Sequence, residues 1–340
     1  MVEKIGVGIV GAGYQGSTHA MAYSAIPEAR IVAICDVREE RAKVLAKEYG
    51  AYWYSDYQQF LKRRDIDAVS ICTPNALHAA QTILAAEAGK HVLVEKPMAT
   101  SLEDCDRMIQ TCKDAGVKLM VAHSHRFWPA NVKAKRLIEE GEIGRIVAAY
   151  DSVVGGGFKH PETLSPDERA KWMQDRASGG GAILFNGIHI IDRLRWWVGS
   201  DIVTVFAKVG NLVYNSSVDE YGNAFLLFKN DTSAVMTVSM ATSQSYCVAE
   251  LIGTKGILEV KTYEQVRLGK PERWETVHTF DPQTERKRTF VAEVREFVSS
   301  ILENREPPIP GEEGRANVEV ALAILKSSET GKTVELPLSQ

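Results

Sequence analysis

Three glycines within six residues, Gly11, Gly13 and Gly16, stand between an apolar run at 5–10 and a helix-forming stretch, and they restrict the fold more than any other feature. In the order strand, loop, helix, Gly11 can make the tight turn, Gly13 can admit a pyrophosphate against bare backbone, and Gly16 can let helix and strand pack closely. The whole loop, Gly11-Ala12-Gly13-Tyr14-Gln15-Gly16, is therefore a candidate phosphate cradle. Twenty residues beyond Gly16, Asp36 ends a second apolar run, where a carboxylate would accept hydrogen bonds from the ribose hydroxyls of an adenosine. The same charge repels a 2′-phosphate, which favours NAD over NADP, while Arg38 keeps NADP open.

The pattern continues past the loop. Apolar runs at 5–10, 30–35, 68–72, 91–94 and 118–122 are rich in Val and Ile and too short for helices. Between them, 18–25, 39–48, 76–88 and 102–115 have helical spacing, and Gly50, Gly89 and Gly116 stand just past three of these segments, where a C-terminal cap favours a left-handed backbone. Strict alternation of this kind predicts a Rossmann-type doubly wound parallel sheet, covered on both faces.

After about residue 124 the pattern changes. A helix is expected over 128–140, a strand over 145–154, an irregular polar stretch over 158–181 and an apolar helix over 182–198. From 202 to about 280, strand candidates alternate with period two and are joined by turns at Asn230-Asp231 and Lys255-Gly256; helices near 290–303 and 312–327 follow. The sequence thus predicts two domains, a dinucleotide-binding Rossmann domain over 1–123 and an α+β domain over 124–340, with a large, mostly antiparallel open sheet.

Forty basic against forty-four acidic side chains leave a net charge of −4, too near balance for a polyanion-binding surface, so neither nucleic acid nor an anionic membrane is an expected partner. Five cysteines form no CxxC pair and cannot close into a complete intramolecular framework. Glycines interrupt any apolar signal core near the start, and no later run is long enough to span a membrane, so a reducing, cytoplasmic setting is expected.

Cys72-Thr73-Pro74-Asn75 with His78, followed by Val94-Glu95-Lys96-Pro97 and a Gly-Gly-Gly…His helix, resembles the Gfo/Idh/MocA family of glucose–fructose oxidoreductase and inositol dehydrogenase relatives. The resemblance implies that Thr73, Pro74 and Asn75 lie along the nicotinamide half of the cofactor, at the carboxyl end of the 68–72 strand, with Glu95 and Lys96 near it. His78 either touches the cofactor or packs. It implies a cis Lys96–Pro97 bond and a lysine aimed at the carbon that exchanges hydride, where its ammonium would stabilise a developing alkoxide.

His189 falls at the histidine position of the family's Asp-x-Gly-x-His element and is the expected proton acceptor, since its ordinary pKa lies near working pH. The position usually held by Asp is Phe185, beside Asn186. Three readings stay open: a Lys96–His189 dyad with Asn186 orienting substrate, a changed or lost activity, and a structural His189. Asp192, three residues on, either orients His189 or pairs with an arginine. His125 and Arg126 are candidates for substrate contact, with Arg126 alternatively a structural bridge; Trp172 and Arg176 are further candidates from the polar stretch. No metal site is expected, because His123 and His125 have no third ligand at conventional spacing. The expected activity is NAD(H)-dependent oxidation of a secondary alcohol in a sugar or cyclitol, or reduction of the ketone. An NAD-dependent glycosidase and a non-catalytic dinucleotide sensor are the alternatives. A homodimer or homotetramer is implied by the resemblance.

Overall fold

Apolar runs flanked by glycine and helix make a parallel sheet in the first third of the chain. The computed structural model describes residues 4–155, 172–213, 216–242 and 244–338. Strands β1 (Ile5–Val10), β2 (Ala29–Cys35), β3 (Tyr52–Tyr54), β4 (Ala68–Ile71), β5 (His91–Glu95) and β6 (Leu119–Ala122) pair in the order β3-β2-β1-β4-β5-β6, all parallel. Every residue of β1 and β4 is buried, as a sheet covered on both faces requires.

The connecting helices are α1 (Tyr14–Ser24), α2 (Glu39–Tyr49), α3 (Tyr57–Leu61), α4 (His78–Glu87) and α5 (Leu102–Asp114). Gly50, Gly89 and Gly116 adopt φ of 63°, 71° and 66°, the left-handed caps read from the sequence. Strand β3 and helix α3 were not anticipated. Three residues are too few to show a period, and two of them, Tyr52 and Trp53, are exposed at the sheet edge. Asp56 starts α3 by accepting from the backbone N–H of Gln58 and Gln59 at 2.8 and 3.1 Å.

The second sheet has nine strands, β7 (Ile146–Val154), β8 (Ile202–Gly210), β9 (Tyr221–Phe228), β10 (Ser233–Ser239), β11 (Tyr246–Gly253), β12 (Ile257–Lys261), β13 (Gln265–Lys270), β14 (Arg273–Thr279) and β15 (Val334–Glu335). Their order is β14-β13-β12-β11-β7-β10-β9-β8-β15, and every pair is antiparallel except β7 with β10. Helix α6 (Pro129–Glu139), a π-helical turn (Ile183–Gly187) and α7 (Ile188–Val198) contribute Ala130, Ile183, Ile191 and Trp197 to one core with Val205, Leu226, Met236 and Leu251 from the strands. The alternation read over 202–280 is the alternation between this core and the opposite face. The expected polar stretch at 158–181 lies outside the described residues as far as 171.

Two closing helices follow, α8 (Pro282–Leu302) and α9 (Gly311–Thr330). The chain divides at His123/Ser124, but residues 287–316 group with the first unit, so 124–340 is not one continuous domain as the sequence reading had it. The reason is local. Phe290, Val294, Phe297 and Val298 make a buried stripe on α8, Phe290 lies 6.4 Å from the His19 ring, Arg315 pairs with Asp106 at 2.5 Å, and Ile309 O accepts from Val121 N at 2.9 Å.

Candidate active site

In the first unit, parallel strands deliver four sequence motifs to one edge of one sheet. The glycine loop follows β1, Asp36 follows β2, the Thr73-Pro74-Asn75 loop follows β4, and Lys96 follows β5. Gly11 has φ of +91°, and a side chain there would bring Cβ within 2.7 Å of Cys72 O. At Gly16 the added carbon would sit 1.8 Å from Gly11 O, so loop and helix can approach only without it. At Gly13 it would meet nothing within 4 Å, which leaves open the space beside the start of α1, a helix with no side-chain cap. Asp36 is aimed by two backbone donors, Ala12 N to Oδ2 and Arg38 N to Oδ1, each at 2.8 Å. An open helix N-terminus beside an oriented carboxylate fits a dinucleotide.

Beneath this edge lies a polar network that sequence reasoning missed. Glu95 is buried; its Oε1 accepts from Gln15 Nε2 at 2.6 Å and lies 3.1 Å from His19 Nε2, while its Oε2 accepts from the backbone N–H of Lys96 at 3.1 Å. His19 Nδ1 lies 2.6 Å from Ser70 Oγ. Burial pushes the His19 imidazole down, yet Cys72 and Glu95 hold it well above its ordinary value. Burial likewise pushes the Glu95 carboxyl up, and His19, Lys96 and Gln15 bring it below the usual range, which makes the pair an ion pair. Gln15 and Glu95, expected beside the cofactor, thus anchor the backbone from which Lys96 emerges. The Lys96–Pro97 bond is cis.

His78 is fully buried, with its ring nitrogens 2.9 Å from Pro97 O and from Thr73 O. Its ring braces the Thr73 loop against the β5 end. Thr73 Oγ1 donates to Gln81 Oε1 at 2.5 Å, and Asn75 opens the turn into α4.

In the second unit, the 182–198 segment is not one regular helix. The π-helical turn Ile183–Gly187 inserts a widened turn just before His189, a device common where a helix carries chemistry. Gly181, at φ +109°, leaves room for Asp219, whose Oδ2 accepts from Ile183 N at 2.7 Å; an added Cβ would come within 2.4 Å of Oδ1. Asn186 Nδ2 donates to Gly155 O at 3.4 Å. Phe185 meets Trp172 edge to face at 6.3 Å, so an aromatic contact occupies the position usually held by a carboxylate in the family resembled. Arg176 is exposed, with its backbone N–H 3.4 Å from Ser217 Oγ.

His189 stacks on His125 with ring centres 4.0 Å apart and planes 14° from parallel. Arg126 donates Nε at 2.9 Å and Nη2 at 2.7 Å to the Asp192 carboxylate, which also accepts from Asn317 Nδ2 at 2.8 Å. The arginine pair read for Asp192 is thus present. Behind His125 lies a second buried pair, Arg193 with Asp151, that the sequence did not reveal. Among the described residues no three His, Cys, Asp or Glu gather as a metal cluster, and no helix is long and apolar enough to cross a membrane.

A glycine loop, a backbone-held acid after the second strand and a strand-end lysine on a doubly wound sheet are the parts of a dinucleotide-dependent oxidoreductase. The comparisons identify which kind. Residues 5–123 match the model of an oxidoreductase family with an NAD-binding Rossmann fold, and residues 131–259 match the GFO/IDH/MocA C-terminal domain; the chain belongs to the Gfo/Idh/MocA family. It is similar to the uncharacterized oxidoreductase YrbE of Bacillus subtilis, with 32% identity over 99% of this chain and 98% of the relative. It is 29% identical to the scyllo-inositol 2-dehydrogenase (NAD(+)) of the same organism, over 100% of this chain and 98% of that one. Among solved structures, levoglucosan dehydrogenase in complex with NADH and levoglucosan superposes with a TM-score of 0.88 at 26% identity, covering 99% of this chain and 100% of that one.

Proposed function

We propose that the chain is an NAD(H)-dependent dehydrogenase that oxidises a secondary alcohol of a sugar or cyclitol, or reduces the corresponding ketone. One observation carries the reading: the glycine loop, Asp36, Thr73-Pro74-Asn75 and Lys96 all leave the carboxyl ends of parallel strands at one edge of one sheet. A bound NAD supplies the hydride acceptor. Asp36, already oriented by Ala12 and Arg38, accepts from the adenosine ribose hydroxyls. Lys96, with its backbone fixed by Glu95, places an ammonium at the substrate oxygen and stabilises the alkoxide that forms as the hydroxyl proton leaves and that becomes the ketone as hydride departs. His189 takes the alcohol proton. Asn186, Trp172, Arg176, His125 and Arg126 are the side chains proposed to bound the sugar, with Arg126 acting from its Asp192 pair.

A homodimer or homotetramer belongs to the same proposal. Phe206 pairs with Phe225, Phe225 with Val235 and Val235 with Tyr150, so four exposed large side chains cross β8, β9, β10 and β7 in one row. The cytoplasmic setting is proposed because all five cysteines are unbonded.

The test is NADH absorbance after adding NAD with a panel of inositols, aldoses and sugar acids, and NADH consumption with the matching ketones, in parallel for wild type and Lys96→Ala. Lys96→Ala is expected to lower kcat by about 10²- to 10⁴-fold while leaving NADH binding nearly intact. Wild-type turnover in the variant sinks the assignment, and a glycoside cleaved without net NADH moves it to the glycosidase reading.

A further inference from the structure

We infer that Arg193 is a positioning residue for His189 and acts through His125: it pins His125 in one neutral tautomer, on whose face His189 is held ready to take a proton. The inference rests on the dehydrogenase reading above for the role of His189, and on the second unit alone for its geometry.

Arg193 is fully buried on α7, and a guanidinium has five N–H donors and no acceptor. Nε donates to Asp151 Oδ2 at 3.1 Å, Nη2 donates to Asp151 Oδ1, and Nη1 donates to Cys247 Sγ at 3.0 Å and to His125 Nδ1. Since the guanidinium can only donate, Nδ1 of His125 must present a lone pair. The ring proton is thereby placed on Nε2, which faces the Tyr263 hydroxyl at 3.3 Å. A second proton on Nδ1 would point at a buried cation, so His125 stays neutral where an ordinary histidine would titrate.

The neighbouring groups reinforce this. Asp151 comes from β7, Cys247 from β11, Tyr263 from the turn after β12, and Arg126 and Asp192 close a separate ion pair. Burial pushes the Asp151 carboxyl up and the bidentate guanidinium opposes that push; burial also raises the Cys247 thiol and the Tyr263 hydroxyl, keeping both protonated. Arg193 is therefore the group that meets Nδ1 of His125 with a fixed charge. Tyr263 stands edge-on to His125 at 6.0 Å and to Trp128 at 4.6 Å, which sets the plane of the lower ring. His189, parallel on the other face, inherits that plane. It also lies one ring away from a permanent positive charge, which disfavours its imidazolium and keeps it a proton acceptor. Phe185 offers no carboxylate for that purpose.

The experiment is ¹⁵N NMR of the imidazole groups in the full chain from about pH 5 to about pH 9, without substrate, with His125 and His189 assigned by single substitutions. In the wild type, His125 is expected to show the Nε2–H tautomer unchanged throughout while His189 titrates alone; a titrating His125 overturns the inference outright. In Asp151→Asn/Arg193→Met, which removes both charges together, His125 is expected to titrate and the His189 midpoint to rise by about one pH unit. Arg193→Lys keeps a cation beside Asp151, yet one ammonium cannot span both Asp151 and His125, so His125 is expected to titrate there too. Folded variants in which both rings behave as in the wild type overturn the inference. Because the readout needs no turnover, it stands or falls separately from the Lys96→Ala result.

Discussion

Residue by residue, the groups closest to the proposed chemistry divide into those the sequence exposes and those it hides. Gly11, Gly13, Gly16, Asp36 and Lys96 are legible because each solves a local problem: a left-handed turn, a close approach, a strand end. His19, Asp151 and Arg193 are not. Each is a buried polar side chain whose partner lies far away in the chain, as with Arg193 and Asp151, 42 residues apart, and nothing in the local sequence marks it. Even so, Asp36 carries a sharp consequence. Its carboxylate is held by two backbone donors against the glycine loop, so a 2′-phosphate entering there meets an oriented negative charge. Asp36→Ser is expected to shift the ratio of NADPH to NADH affinity towards NADPH by about tenfold or more, the loss of a charged hydrogen bond on one side and of a repulsion on the other. Fluorescence titration with the two reduced cofactors reads the ratio directly, and an unchanged ratio removes Asp36 from cofactor selection.

At the scale of elements, legibility follows length and period. The long apolar strands and glycine-capped helices of the first unit were placed within a few residues. Helix α1 begins at Tyr14, four residues before the expected start, because Gly16 weakens the helical pattern at the place where close packing demands a glycine. The π-helical turn before His189 leaves no trace in the periodicity, since one extra residue in a turn only blurs it. Helix α8 was legible as a helix but not in its destination. It brings Glu293 into the first unit, fully buried beside His19 and Glu95, with neither carboxyl oxygen hydrogen-bonded among the described residues. Burial pushes its carboxyl from 4.5 up to about 8. Below about 4.5 the folded and unfolded chains both hold this proton; between about 4.5 and 8 only the folded chain does, so rising pH costs the fold about 1.4 kcal/mol per unit. Between about pH 6 and pH 8, the stability of Glu293→Gln relative to wild type is therefore expected to improve by up to about 3 kcal/mol in urea denaturation. A difference that does not change with pH would mean that Glu293 is already ionised in the fold.

For the whole molecule, the face of the nine-stranded sheet opposite its core presents large apolar side chains that are exposed in the single chain. Phe206, Phe225, Val235 and Tyr150 make an apolar row whose alignment across four strands depends on registers that the sequence does not encode locally. Phe225→Asp places a charge in the middle of that row and is expected to give a monomer in light scattering where the wild type gives the proposed oligomer, with the fold retained by circular dichroism. A wild-type monomer at working concentration, or an oligomer indifferent to the charge, removes the row as an interface.

The return of residues 287–316 to the first unit also bears on the order in which the protein can be finished. A ribosome that has released the parallel sheet has made every strand that carries the glycine loop and Lys96, yet the buried stripe of α8 and the contact of Ile309 with Val121 are still to come. Until that late segment emerges, the His19–Glu95 pair beneath the site lacks the helix that brings Phe290 and Glu293 beside it. The nascent nucleotide-binding half therefore waits, incomplete, through the synthesis of β7 to β14, and acquires its last packing only when residues 287–316 have been made.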